Sequence, residues 1–152
     1  MLYGLTTRGG HDNGAIFSLD ITNNTLVTVT DFNPITGTYP NGSLLKASNG
    51  KLYGTTSMGG AYNAFNGTLF SYDPATNALV KLYDFNNAVS VQGEPANPAG
   101  SLVQATNGKL YGVTLGGGVS PTYIGGSVFS FDLANNTPTF YDSAGYKRGW
   151  YN

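Results

Sequence analysis

The chain has 152 residues, a formal net charge of −1 and only 10% charged side chains, and its seven Lys and Arg residues are dispersed; this excludes the clustered positive surface that tracks phosphates in nucleic acid. No stretch approaches the ~20 apolar residues of a membrane-spanning helix. Cys 0 removes disulfides and thiolate metal sites, while Gly 22, Tyr 11 and Phe 8 describe turns and aromatic strands rather than helices.

In chain order, the first strand is read in LYGLTT at Leu2–Thr7 and the second in GAIFSLD at Gly14–Asp20, with the pair Gly9-Gly10 between them. LVTVTDF at Leu26–Phe32 follows, and a connection, Asn33–Asn41, leads to GSLLKA at Gly42–Ala47. The next copies are LYGTTS at Leu52–Ser57, GTLFSYD at Gly67–Asp73 and LVKLYDF at Leu79–Phe85. A second connection, Asn86–Ala99, precedes GSLVQA at Gly100–Ala105, LYGVTL at Leu110–Leu115 and GSVFSFD at Gly126–Asp132. The last copy, TPTFYDS at Thr137–Ser143, is degraded, and Phe140 is expected where Val29 and Leu82 stand. Asn49-Gly50 and Asn107-Gly108 join the Gly-Ser-Leu strand to the Leu-Tyr-Gly strand. Each pair predicts a tight hairpin with positive φ at both central residues.

Repeats of this length built from short alternating segments predict an all-β, propeller-like array of three four-stranded blades. The whole chain, 1–152, reads as one repeat domain, with blades over about 1–32, 42–85 and 100–143 and a tail at 144–152. Alternation places Phe17, Phe70 and Phe129 on one face with Leu19, Tyr72 and Phe131. Ser18, Ser71 and Ser130 lie on the other face beside Ile16, Leu69 and Val128. Both faces are partly apolar, so each sheet needs a neighbour on either side.

The Gly-Ser-Leu strand occurs twice and the other three types three times, so the first blade is one strand short. Three blades are also fewer than the four to eight of closed propellers. The leading expectation is completion to six blades by a second chain, the alternative being a segment of a longer array. Assembly is assigned to Leu2 and Tyr3 at the unpaired edge and to Trp150 and Tyr151 in the tail. No basic region followed by an apolar run opens the sequence, and a mature or excerpted segment of a longer secreted chain is expected.

The phrases Gly-Ser-Leu-x-x-Ala, Asn-Gly-Lys-Leu-Tyr-Gly-x-Thr and Gly-x-x-Phe-Ser-x-Asp resemble the GloVer tandem repeat over Leu2–Asp20, Gly42–Phe85 and Gly100–Asp142. The resemblance implies a bacterial, secreted or surface-attached β-propeller. It carries over no catalytic residue, because the motif is architectural. The third copy departs from the pattern by gaining Pro138 and losing the phenylalanine that closes its fourth strand.

Little material for catalysis is present. His11, the single histidine, follows Gly9-Gly10 beside Asp12 and is read as an exposed loop residue. Asp20, Asp73 and Asp132, like Asp31, Asp84 and Asp142, recur once per blade and are read as turn caps. No cofactor is expected; calcium is the one cation these oxygens would suit, and no Asp-rich calcium loop accompanies them. An enzyme would require His11, Asp12 and the lone Glu94 of different subunits to converge. Tyr3, Tyr53 and Tyr111 recur and are read as structural. The non-repeated Tyr62, Asn63, Phe65 and Tyr123 are the better ligand candidates, since rings and amides together suit a sugar. Asn23, Asn41, Asn66 and Asn135 begin Asn-x-Ser/Thr sequons in expected turns. The reading is a non-enzymatic extracellular scaffold that self-associates, with a carbohydrate-binding module, or a contact to another surface protein, as its alternative.

Overall fold

The computed structural model describes residues 1–61, 66–85, 95–116 and 126–141. Among them, alternating segments form eleven strands. Sheet one holds β1 (Leu2–Thr6), β2 (Ala15–Asp20) and β3 (Thr25–Asp31). Sheet two holds β4 (Thr38–Lys46), β5 (Leu52–Met58), β6 (Thr68–Asp73) and β7 (Ala78–Asp84), and sheet three β8 (Ala96–Gln104), β9 (Leu110–Gly116), β10 (Val128–Asp132) and β11 (Thr137–Tyr141). Every pairing is antiparallel between neighbours in sequence. The four strands expected of every blade are present in sheets two and three. In sheet one, β1 pairs only with β2 among the described residues.

The hairpins between β4 and β5 and between β8 and β9 are looser than the Asn-Gly pairs suggested. Ala47 and Lys51 bracket a three-residue loop in which Gly50 N–H donates to Ala47 O at 3.0 Å, and only Gly50 has positive φ. Asn49 instead accepts the Lys51 N–H through Oδ1 at 3.1 Å, and Asn107 does the same for Lys109. This is a turn followed by a left-handed glycine, the usual three-residue hairpin.

The inter-sheet connection is shorter than the one read from the sequence, because β4 begins at Thr38 rather than Gly42. Residues Thr38–Asn41 continue the strand ahead of an irregularity between Asn41 and Leu45. Asn33 orders the remaining turn by accepting the Ile35 and Thr36 N–H groups, and Thr36 O in turn accepts the Thr68 hydroxyl at 2.8 Å. The chain is thus anchored to sheet two before β4 begins.

Period-two alternation sorts side chains into two cores. Tyr3, Leu5, Ile16, Val29 and Phe32 of sheet one meet Leu44, Leu52, Phe70, Tyr72 and Leu79 of sheet two. On the opposite face of sheet two, Leu45, Tyr53, Leu69, Leu82 and Phe85 meet Leu102, Leu110, Phe129, Phe131 and Phe140 of sheet three. Sheet two therefore lies between the others with both faces covered, and the expected face assignment holds throughout.

A phenylalanine at the end of one sheet locks it to the next. Phe32 meets Phe70 edge-on at 4.9 Å between ring centroids, and Phe85 meets Phe129 at 5.1 Å. Each receiving ring lies over the glycine of the adjacent Leu-Tyr-Gly strand: a Cβ on Gly54 would stand 2.5 Å from Phe70 Cζ, and one on Gly112 the same distance from Phe129 Cζ. Only a residue without Cβ lets the ring lie flat on the strand.

Phe140 does not occupy the place of Leu82. Bulges at Ile16/Phe17 and Leu69/Phe70 insert an extra residue into β3 and β7, whereas β10 and β11 pair without one. Phe140 consequently sits opposite Phe129, as Lys81 sits opposite Phe70, and turns back toward sheet two.

Gly54→Ala should lower stability by about 1–3 kcal/mol, because the added methyl meets a fully buried ring that has no free space. Gly116→Ala, whose Cβ would lie 3.4 Å from Ala96 O, should stay within about 0.5 kcal/mol of the parent. Urea unfolding of both variants checks the contrast.

Candidate functional site: the open ends of the sheet stack

The recurring carboxylates are occupied with structure. Asp20, Asp73 and Asp132 each accept, at 2.9 Å, the N–H two residues ahead, at Thr22, Ala75 and Ala134. Lys51 and Lys109 add ion pairs to Asp73 at 3.8 Å and to Asp132 at 3.3 Å. The Ala134 N–H, then Lys109, holds the Asp132 carboxyl below its ordinary value. The second acidic series does different work from the turn-capping expected of it. Asp84 pairs with Lys81 at 2.8 Å and accepts the Ala61 N–H at 3.0 Å, fastening the loop after the glycine pair. Asp31 holds the equivalent loop through His11, whose Nδ1 lies 3.3 Å from Asp31 Oδ2. His11 is exposed, as expected, and its partner is Asp31 rather than Asp12. Glu94 and Asp142 lie outside the described residues, as do Tyr62, Asn63, Phe65, Tyr123, Trp150 and Tyr151.

The repeated tyrosines are structural. Asn49 Nδ2 donates to Tyr53 Oη at 2.8 Å and Asn107 Nδ2 to Tyr111 Oη at 2.9 Å, so each ring is pinned to its own hairpin. Tyr3 packs against Tyr72, with 6.0 Å between centroids. Burial, followed by the charges of Tyr3 and Asp73, raises the Tyr72 hydroxyl above its ordinary value, and that hydroxyl donates to Asn77 Oδ1 at 2.8 Å. One sequon asparagine departs from the expected turns, Asn41, which lies within β4; Asn66 is buried at the bend ahead of β6.

What is left over lies at the ends of the stack. Leu2, Leu19 and Leu26 face one another across β1, β2 and β3 and form one row on the face of sheet one that points away from sheet two. The corresponding row in sheet two, Leu52, Tyr72 and Leu79, belongs to the core shared with sheet one. Leu2 and Leu26 are 55% and 64% exposed, against 5% for Leu52 and 0% for Tyr72. At the other end, Val103, Val113 and Val128 of sheet three are exposed, while Leu69, at the place of Val128, is fully buried. Of the residues expected to assemble, Leu2 is on this outer row, whereas Tyr3 points inward to the core with sheet two. Leu19 and Leu26 are not assigned to assembly from the sequence, because the row they form with Leu2 appears only once three strands are in register.

A family model described as the Gloeobacter/Verrucomicrobia repeat matches residues 1–150. No curated protein matches the chain.

Because the folded-state value of Asp132 is depressed, its contribution is complete above its unfolded-state value and is lost as pH falls through the folded one. The difference in thermal midpoint between the parent and Asp132→Asn should be largest near neutrality and shrink below about pH 4. Asparagine still accepts the Ala134 N–H, so the comparison isolates the charge; calorimetry across that range provides the check.

Proposed function

The chain belongs to the Gloeobacter/Verrucomicrobia repeat family, and from that premise we propose a non-enzymatic scaffold outside the bacterial cell that works by self-association through its open sheet faces. The observation that carries this reading is the row Leu2, Leu19 and Leu26. It repeats, in an exposed setting, a row that sheet two buries against its neighbour. A sheet with apolar side chains on both faces is stable when both are covered, and a contiguous exposed patch of this kind marks an interaction surface.

The non-enzymatic part draws support from the carboxylates. Asp20, Asp73 and Asp132 cap turns, and Asp31 and Asp84 fasten loops. A hydrolase would instead need two carboxyl groups held across a cleft, about 5–9.5 Å apart. The extracellular setting draws support from the resemblance of the repeat phrases to secreted and surface-attached bacterial proteins.

The contact joins unlike faces, sheet three of one chain to sheet one of the next, because that is how the three sheets already meet. Such head-to-tail contacts form a ring when the rotation closes and a filament when it does not. Two chains forming six blades are the smallest ring within the propeller range.

Sedimentation equilibrium should give a mass of at least two chains at micromolar concentration. Leu26→Glu, on the exposed row, should weaken association at least about tenfold while leaving the chain folded, since about 1.4 kcal/mol suffices for that factor. A parent mass equal to one chain across the accessible range would defeat the proposal.

A further inference from the structure

Among the described residues, the edge of β1 away from β2 carries no strand, a second unfilled place in sheet one. We infer that it is an acceptor site for one antiparallel strand of the pattern Pro-x-Gly-Ser-Leu-x-x-Ala, donated in trans by another polypeptide of this repeat family. This rests on the reading of the chain as an assembling repeat protein and adds a partner segment distinct from its own copies.

Backbone direction defines the acceptor. Thr114 N–H donates to Ser127 O at 2.8 Å, and Thr56 O faces Gly67, so that a Cβ there would lie 2.1 Å away. Thr6, at the same place in β1, faces β2 likewise: a Cβ on Gly14 would stand 2.7 Å from Thr6 O. The N–H and C=O of one strand residue point to the same side and alternate along the strand. Leu2, Gly4 and Thr6 are therefore engaged with β2, while Tyr3 and Leu5 present N–H and C=O to the free side. In sheet two the equivalent residues, Tyr53 and Thr55, face Leu45 and Asn41 of β4.

The donor is defined by the two strands that fill this place elsewhere. Thr38–Ala47 and Ala96–Ala105 share the pattern, with a left-handed residue ahead of the proline, at Tyr39 and Asn97, and left-handed Gly42 and Gly100. Their leucines point both ways: Leu44 packs toward sheet one and Leu45 toward sheet three. A donor on β1 would set one leucine beside Tyr3 and the other beside Leu2.

Neighbouring first strands are also tied to each other. Ser43 N–H donates to Ser101 Oγ at 2.9 Å, and a Cβ on Gly42 would lie 2.4 Å from Gly100 O. A strand on β1 would make the same two contacts to β4, with Ser43 Oγ as the acceptor. That hydroxyl makes no hydrogen bond to another described residue. The donor is not a second copy, because both segments with this pattern are already paired, one with β5 and one with β9.

The test uses a synthetic peptide with the sequence of Thr38–Ala47, titrated into the full chain and followed by backbone amide NMR. Saturable one-to-one binding is expected, with exchange of the Tyr3 and Leu5 amides slowed at least tenfold and Gly4 little changed. N-methylation at the Leu45 position of the peptide should weaken binding about tenfold, whereas N-methylation at the Leu44 position, whose N–H points away, should cost less. Absence of saturable binding, or equal losses at the two positions, would overturn the inference. Failure of the peptide against a chain that self-associates would sink the acceptor site alone. Binding to a chain that stays monomeric would sink the scaffold reading and keep the site.

Discussion

A sheet that carries apolar side chains on both faces is held in place only from both sides, and every other feature of this molecule follows from that constraint. Sheet two meets it fully, with Phe70 and Tyr72 buried toward sheet one and Tyr53 and Leu69 buried toward sheet three. The fixing contact is the phenylalanine that ends one sheet and meets the Phe-Ser phenylalanine of the next. Edge-to-face pairs of this kind contribute about 0.5–1.5 kcal/mol beyond the area they bury. The glycines beneath those rings are a consequence, since any side chain at Gly54 or Gly112 would lift the ring out of the gap.

The same constraint explains why the ends differ from the middle. Sheet one has Phe17 at the place of Phe70, and the sequence offers Ser143 where Phe32 and Phe85 stand in the earlier copies. The pairing phenylalanine is thus missing from the end that would continue the array. In the proposed self-association, a contact onto Phe17 would lack the ring pair found at both internal joints, and the leucine row would carry its specificity instead.

Much of this was legible in the sequence. Strand types, their order and the division of each strand into two faces follow from alternation and from phrases repeated at fixed places, and all of them are present in the described residues. What was hidden depends on register. The bulges that give β3 and β7 an extra residue leave no mark on spacing, so Phe140 could not be placed opposite Phe129 from the sequence. The left-handed backbone at Tyr39 is equally silent, since a tyrosine ahead of a proline gives no sign of it, although asparagine at the same place, Asn97, is a residue that tolerates it. At the candidate site Leu2 was legible as an edge residue. Its partners Leu19 and Leu26 became visible only when three strands were aligned.

Consecutive sheets are coupled through the phenylalanine pair. A double-mutant cycle on Phe85→Leu and Phe129→Leu, measured by urea unfolding, tests it most directly. A coupling of about 0.5–1.5 kcal/mol between the two sites is expected. Additivity within about 0.3 kcal/mol would contradict it, because rings that do not depend on each other cannot be what joins one sheet to the next.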